Sequence, residues 1–119
     1  MFSVGWIGAR KRCEGRGAKL VSLEDGRRRR SLSRYIMQQT SLRRFWSSGS
    51  DVDLEGDWVW AGTGGRVRSS VWLERPATSL EENCLVWTVR RESNGLREGG
   101  LSEVCCNNLP YICHLDHSL

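Results

Sequence analysis

The sequence predicts one α+β domain: two helices, short antiparallel strands and a long loop, stapled by disulfides. Three observations carry this. Apolar residues at helical spacing are confined to the first third of the chain. Period-two alternation and turn residues occupy the remainder. One cysteine stands near the start, Cys13, and four in the last third, Cys84, Cys105, Cys106 and Cys113. A helix pair followed by short strands is the α+β order. A chain of 119 residues has room for one core and no second. Its composition, 39% hydrophobic and 27% charged, excludes wholesale disorder.

Each element follows in turn. Trp6, Ala9 and Cys13 recur at +3 and +4 spacing, so residues 8–13 read as a short helix, ended by Gly15 and Gly17. Residues 19–22 read as a brief strand. Ser22-Leu23-Glu24-Asp25 resembles a capping box leading into a second helix over residues 27–38. There the run Arg27-Arg28-Arg29-Arg30 is followed by Leu32, Tyr35 and Ile36 and preceded by Leu20 and Leu23, the pattern of the solvated face of an amphipathic helix. Phe45-Trp46 opens a strand, residues 49–56 form a polar loop, and Asp57-Trp58-Val59-Trp60 alternates with period two. Trp58, Trp60 and Trp87 are expected in the core and Trp72 at the loop edge. Gly62, Gly64 and Gly65 make a turn, and residues 66–83, with Pro76 and little periodicity, form the long loop. Residues 85–89 read as a buried strand, Asn94-Gly95 as a hairpin turn, and residues 111–115 as the last strand.

Charge and cysteine usage exclude several classes. Five cysteines without a paired C-x2-C knuckle suit a disulfide framework with one thiol left over, not a zinc site. The net charge of +4 is almost wholly arginine: of 18 basic residues only Lys11 and Lys19 are lysine. The apolar residues around the arginine run argue against nucleic acid as its partner. No apolar run approaches the roughly 20 residues that span a bilayer, so no membrane insertion is expected. The first ten residues lack the basic and then apolar regions of a signal peptide. A signal removed earlier, or a start inside a longer product, is expected. His114 and His117, with Asp116 between them, read as solvated polar residues near the end of the chain. Without a nucleophile elbow or a phosphate-cradling loop, no enzyme activity, cofactor or metal is expected.

Six fragments occur in one order along the chain. They are Trp6-x2-Ala9-x3-Cys13, then Gly17-Ala18-Lys19-Leu20-Val21-Ser22-Leu23, then Phe45-Trp46-Ser47-Ser48-Gly49. Glu55-Gly56-Asp57-Trp58-Val59-Trp60, Glu81-Glu82-Asn83-Cys84 and Leu109-Pro110-Tyr111-Ile112-Cys113 complete them. Together they resemble the C-type lectin-like domain, over residues 5–115, with residues 116–119 as a tail. The resemblance implies a secreted or extracellular recognition module. It implies that Cys13 pairs with Cys113, closing a loop worth about 4 to 5 kcal/mol in the chain-entropy account. It pairs Cys84 with Cys105, counting back from Leu109-Pro110-Tyr111-Ile112-Cys113, or with Cys106, counting forward through residues 101–104. The family has a strand before the first helix that pairs with the terminal strand. This chain begins at the helix, so an incomplete N-terminus is expected, with the edge at residues 111–113 left unpartnered.

In sugar-binding members of that family, calcium in the long loop is held by Glu-Pro-Asn or Gln-Pro-Asp, by an acid two residues before a cysteine, and by Trp-Asn-Asp. Here the first motif reads Arg75-Pro76-Ala77, which offers no acceptor oxygen in its first or last side chain. Glu82 keeps the acid, Glu74 is one position off, and the last segment reads Leu101-Ser102-Glu103 or Gly100-Leu101-Ser102. The resemblance therefore implies recognition without calcium. Arg66, Arg68, Arg75 and Glu82 are the candidate ligand-binding residues, with Arg90, Arg91 and Arg97 flanking. Arginine suits sulfate, phosphate or carboxylate, so the ligand read from them is a glycan, acidic or sulfated, or else a protein. The alternative is a structural or toxin-like secreted member acting as a disulfide-linked dimer through its odd cysteine.

Overall fold

The computed structural model describes residues 3–76 and 80–115. Ala77 and residues 116–119, which include Asp116 and His117, lie outside the described residues. Helix α1 (Trp6–Glu14) buries Trp6, Ala9 and Cys13, the residues whose spacing announced it. Strand β1 (Ala18–Leu20) follows, and then helix α2 (Gly26–Gln39), which buries Ser33, Ile36 and Met37. Its N-cap is Asp25, whose side chain accepts from the Arg27 N–H at 2.9 Å. Ser22, expected to open a capping box, instead hydrogen-bonds the Ser48 hydroxyl at 2.6 Å. The cap thus sits nearer the helix than the motif suggested.

Strands β2 (Arg44–Ser50), β3 (Val59–Trp60), β4 (Cys84–Glu92) and β5 (Gly95–Glu103) form one antiparallel sheet in the order β3-β2-β4-β5. Strand β6 (Cys113–Leu115) pairs with β1 in a separate ribbon. The central strands are covered on both faces, and their alternation sorts the apolar residues into two cores. Phe45, Leu85, Trp87 and Val89 pack with Ile36 and Met37 of α2 and with Trp58, Trp60, Val67 and Val71. Trp46, Cys84 and Val86 face the other way, onto Trp6, Ala9 and Cys13 of α1 and onto Leu20 and Tyr111. Buried indoles are satisfied: Trp6 donates to the Ser47 carbonyl at 2.8 Å and Trp87 to the Ser33 hydroxyl at 3.0 Å.

Several expectations change. Gly49 and Ser50 belong to β2, not to a loop, because both pair with β3 and a Cβ on Gly49 would lie 2.8 Å from the Leu85 side chain. Strand β5 has no alternating pattern to reveal it; the nine-residue ladder with β4 creates it. Its hairpin pairs Glu92 with Gly95, so Ser93 and Asn94 form the tip and Gly95, with φ 117°, takes the conformation other residues avoid. The edge at residues 111–113 is not left open. Leu20 pairs with Cys113, the Val21 N–H donates to Ile112, and Tyr111 bridges Trp46. Val4 also bridges Leu109, with reciprocal backbone hydrogen bonds of 3.0 Å.

Cys13 is bonded to Cys113, joining α1 to β6 across 100 residues, and Cys84 to Cys105 across 21. Cys106 is free and exposed. Trp60, fully buried where β3 meets the loop, should be costly to truncate. Trp60→Ala is expected to lose about 3 to 5 kcal/mol, measured by chemical denaturation. A loss under about 1 kcal/mol, the size of a surface change, would contradict its place in the core.

Candidate ligand-binding site

The long loop between β3 and β4 is irregular apart from one 3-10 turn (Ser69–Val71). Two interactions seat it on β5. The Leu73 N–H donates to the Gly100 carbonyl at 3.0 Å, and Trp72 bridges Gly100. The close approach requires Gly99: a Cβ there would lie 2.6 Å from Leu73 Cγ and 3.0 Å from both the Leu73 nitrogen and the Val71 carbonyl oxygen. Trp72 then meets Trp58 edge to face, with centroids 4.7 Å apart.

This seating separates the four residues nominated from sequence. Arg66 and Arg68 line a cavity of about 290 Å³ with Glu24, Arg29, Trp60 and Ser70. Arg75 and Glu82 line another, of about 210 Å³, with Glu74, Leu101 and Ser102. Arg66 also borders a broader hollow of about 590 Å³ beside Trp58, Trp72, Glu55 and Pro76. Arg90, Arg91 and Arg97 lie on the exposed end of the β4–β5 hairpin and line none of the three.

Arg29 was missed as a partner of Arg66 and Arg68 because it sits inside a run that reads as surface. The signal was present. Arg29 precedes Ser33 and Ile36 by four and seven residues, the spacing of the buried face of α2. It is half-buried, and its Nη1 donates to the carbonyls of Leu23 and Glu24, each at 3.3 Å. The neighbouring Glu24 carboxylate accepts from the Thr63 hydroxyl. The cavity thus gathers arginines from two separate segments, with Glu24 beside them.

The smaller cavity is where the family motifs converge. Its lining brings together two acids, Glu74 and Glu82, with Arg75 and Ser102. Glu103, a candidate oxygen donor from sequence, is committed elsewhere. Its carboxylate accepts from Arg44 at 2.7 Å and from the Val104 N–H and the Asn107 amide at 2.9 Å each. Burial alone would raise the Glu103 carboxyl, but the Val104 N–H, the Arg44 guanidinium and the Asn107 amide together hold it below its ordinary value. Among the described residues, no group of three or more histidines, cysteines or acids gathers as a metal would need.

A family model for the lectin C-type domain matches residues 3–115. The chain belongs to the C-type lectin domain family. No curated protein matches it in sequence. Among solved structures it resembles the carbohydrate-recognition domain of the mouse scavenger receptor C-type lectin, with TM-score 0.76 and 16% identity over 100% of this chain and 87% of that one. It also resembles a Ca2+-dependent type II antifreeze protein in its Ca2+-free form, with TM-score 0.74 and 20% identity over 94% and 84% of the two chains. A calcium-independent type II antifreeze protein follows, with TM-score 0.71 and 21% identity over 94% and 78%. At these identities the likeness is one of fold: this lectin domain has the architecture of a C-type carbohydrate-recognition domain. No helix among its described residues is long and apolar enough to cross a membrane.

The depressed Glu103 carboxyl has a consequence for pH. Its bonds favour the charged form in the folded state, so their stabilisation is complete above the unfolded glutamate value. It is lost as pH falls through the lower folded value. Glu103→Gln should cost about 1 kcal/mol at neutral pH and flatten the acid limb of stability against pH, followed by denaturation at several pH values. An acid limb as steep in the variant as in the parent would assign that slope to other groups.

Proposed function

We propose that this lectin domain is an extracellular recognition module, without enzyme activity, that binds an acidic or sulfated glycan without calcium. One observation carries the reading: Arg66 and Arg68 of the loop and Arg29 of α2 line a single cavity. Guanidinium groups present paired donors that match the oxygens of a sulfate or carboxylate, and three arginines against the single acid Glu24 leave a net positive lining that favours an anion. The fold supports a glycan as the bearer of that anion, since the mouse scavenger receptor domain it resembles is a carbohydrate-recognition domain. Two disulfides suit an oxidising, extracellular setting.

Calcium independence rests on the smaller cavity. Ca2+ takes six to eight oxygen ligands, several of them carboxylates. Glu74 and Glu82 offer two carboxylates, Ser102 offers a hydroxyl, and Leu101 offers no side-chain oxygen. Arg75 brings a positive charge into the same hollow and so supplies the neutralisation a metal would otherwise bring. The described residues that line this cavity do not fit the ion. One of the similar antifreeze proteins is Ca2+-dependent and another calcium-independent, which agrees with a fold that tolerates either state.

The test pairs a glycan array with thermal melting. Binding of sulfated or carboxylated glycans should survive chelator, and millimolar calcium should leave the melting temperature unchanged. An ion at 100 times its dissociation constant would add about 2.7 kcal/mol. A rise of several degrees with calcium, lost in Glu82→Gln, would overturn the calcium-independent reading.

A second reading is favoured by Cys106, the one exposed free thiol among the described residues. It makes the protein a disulfide-linked dimer with a structural or toxin-like role. Non-reducing electrophoresis should then show a dimer that Cys106→Ser abolishes; a monomer under oxidising conditions would remove this reading.

A further inference from the structure

We propose that the arginines on the exposed flank of α2 extend the loop-side cavity into a track for a long sulfated polysaccharide. This rests on the reading that Arg29, Arg66 and Arg68 bind an acidic glycan. Helix α2 buries Ser33, Ile36 and Met37. At about 100° per residue, Arg27, Arg30 and Arg34 fall within a stripe roughly 60° wide that flanks those residues. All three are exposed, and none has an ion-pair partner among the described residues. A rise of about 1.5 Å per residue sets Arg27 and Arg34 about 10 Å apart along the axis, the reach of a short run of linked sugars.

The sequence of the helix makes this placement costly in the free protein. GRRRRSLSRYIMQQ carries five arginines and no acid. A solvated helix face ordinarily interleaves opposite charges at i,i+4, and like charges at that spacing repel. The N-terminal end of a helix is also its positive end, yet the first turn here holds no acid and is followed at once by more arginine. Asp25 and Glu24 lie just before the helix, but Asp25 caps it and Glu24 is bonded to Thr63. An anionic ligand relieves both the mutual repulsion and the clash with the helix dipole.

Consecutive residues join the stripe to the cavity. Arg29 turns inward to line the cavity, while Arg28 reaches His114 of β6, with its Nη1 3.0 Å from the imidazole Nε2. Arg27 and Arg30 remain outside. A chain whose end sits against Arg29, Arg66 and Arg68 therefore meets further guanidinium groups as it leaves. The composition of the face favours a polysaccharide over an anionic membrane. Tyr35 is the only large apolar or aromatic side chain exposed on α2, at 61%, so almost nothing is offered for insertion into lipid. The two disulfides argue against an intracellular nucleic acid.

The experiment measures affinity for short and long heparin fragments at physiological salt. It compares the parent, the triple variant Arg27→Gln, Arg30→Gln, Arg34→Gln, and the double variant Arg66→Gln, Arg68→Gln. Glutamine keeps helix propensity, and a melting temperature no lower than the parent's certifies the fold. The parent should gain affinity with fragment length. The triple variant should lose roughly tenfold to a hundredfold on long fragments, the loss expected of three exposed charge pairs, and far less on short ones. Its salt dependence should also be shallower. The double variant should lose both lengths. If the triple variant binds long fragments as the parent does, the track is wrong while the cavity reading stands. If the parent binds neither length, both fall. Tighter binding to phosphatidylserine vesicles or duplex DNA than to long heparin would replace the polysaccharide with that partner and overturn the proposal.

Discussion

Strand β4 has no free face over its first six residues. Its residues from Cys84 to Val89 are all buried, and alternate side chains enter two different cores. Leu85, Trp87 and Val89 look toward α2 and the loop tryptophans, while Cys84 and Val86 look toward α1. A one-residue slip would exchange the two sets and put a cystine sulfur where Leu85 packs. The register of the whole sheet, and through it the position of each loop, depends on this strand staying where it is. The Cys84–Cys105 bond holds one end of it to the segment that follows β5.

From that strand outward, positions become progressively less constrained. Strand β5 is held by its ladder with β4 and supplies two glycines on which the long loop can lie. The loop crosses so closely that its Leu73 N–H bonds Gly100 directly. Arg66 and Arg68 are thereby carried to the α2 side, and Glu74 and Arg75 to the side of Glu82 and Ser102. This division of the arginines between two cavities follows from backbone packing, since no ion pair between these residues is needed to produce it. Acid–base pairs elsewhere serve structure: Arg44 and Glu103 join β2 to β5 across the buried strand.

The arginine chemistry follows the same logic. Residues of one sequence run diverge once the run becomes helical, because neighbours on a helix point about 100° apart. Arg28 meets His114, Arg29 lines a cavity, and Arg27 and Arg30 face water. A cluster that is uniform in sequence is three different environments in space.

Much of this was legible in the residues. The +3 and +4 spacing of Trp6, Ala9 and Cys13 marked α1, the apolar run after Cys84 marked the buried strand, and the ordered fragments marked the family. These signals are local, or depend on identity at set intervals, and a chain carries them unfolded. The strand character of residues 95–103, the covered edge at residues 111–113 and the choice of Cys105 over Cys106 were not legible in that way. Each depends on which backbone lies alongside, and pairing is a property of two segments at once. The same holds for the site. The sequence by itself determined the supply of arginines and the loss of oxygen donors at Arg75-Pro76-Ala77. Only the tertiary structure decided that Arg66 and Arg68 join Arg29 while Arg75 joins Glu82, because the loop's path over Gly99 and Gly100 is set by close packing that no local pattern encodes.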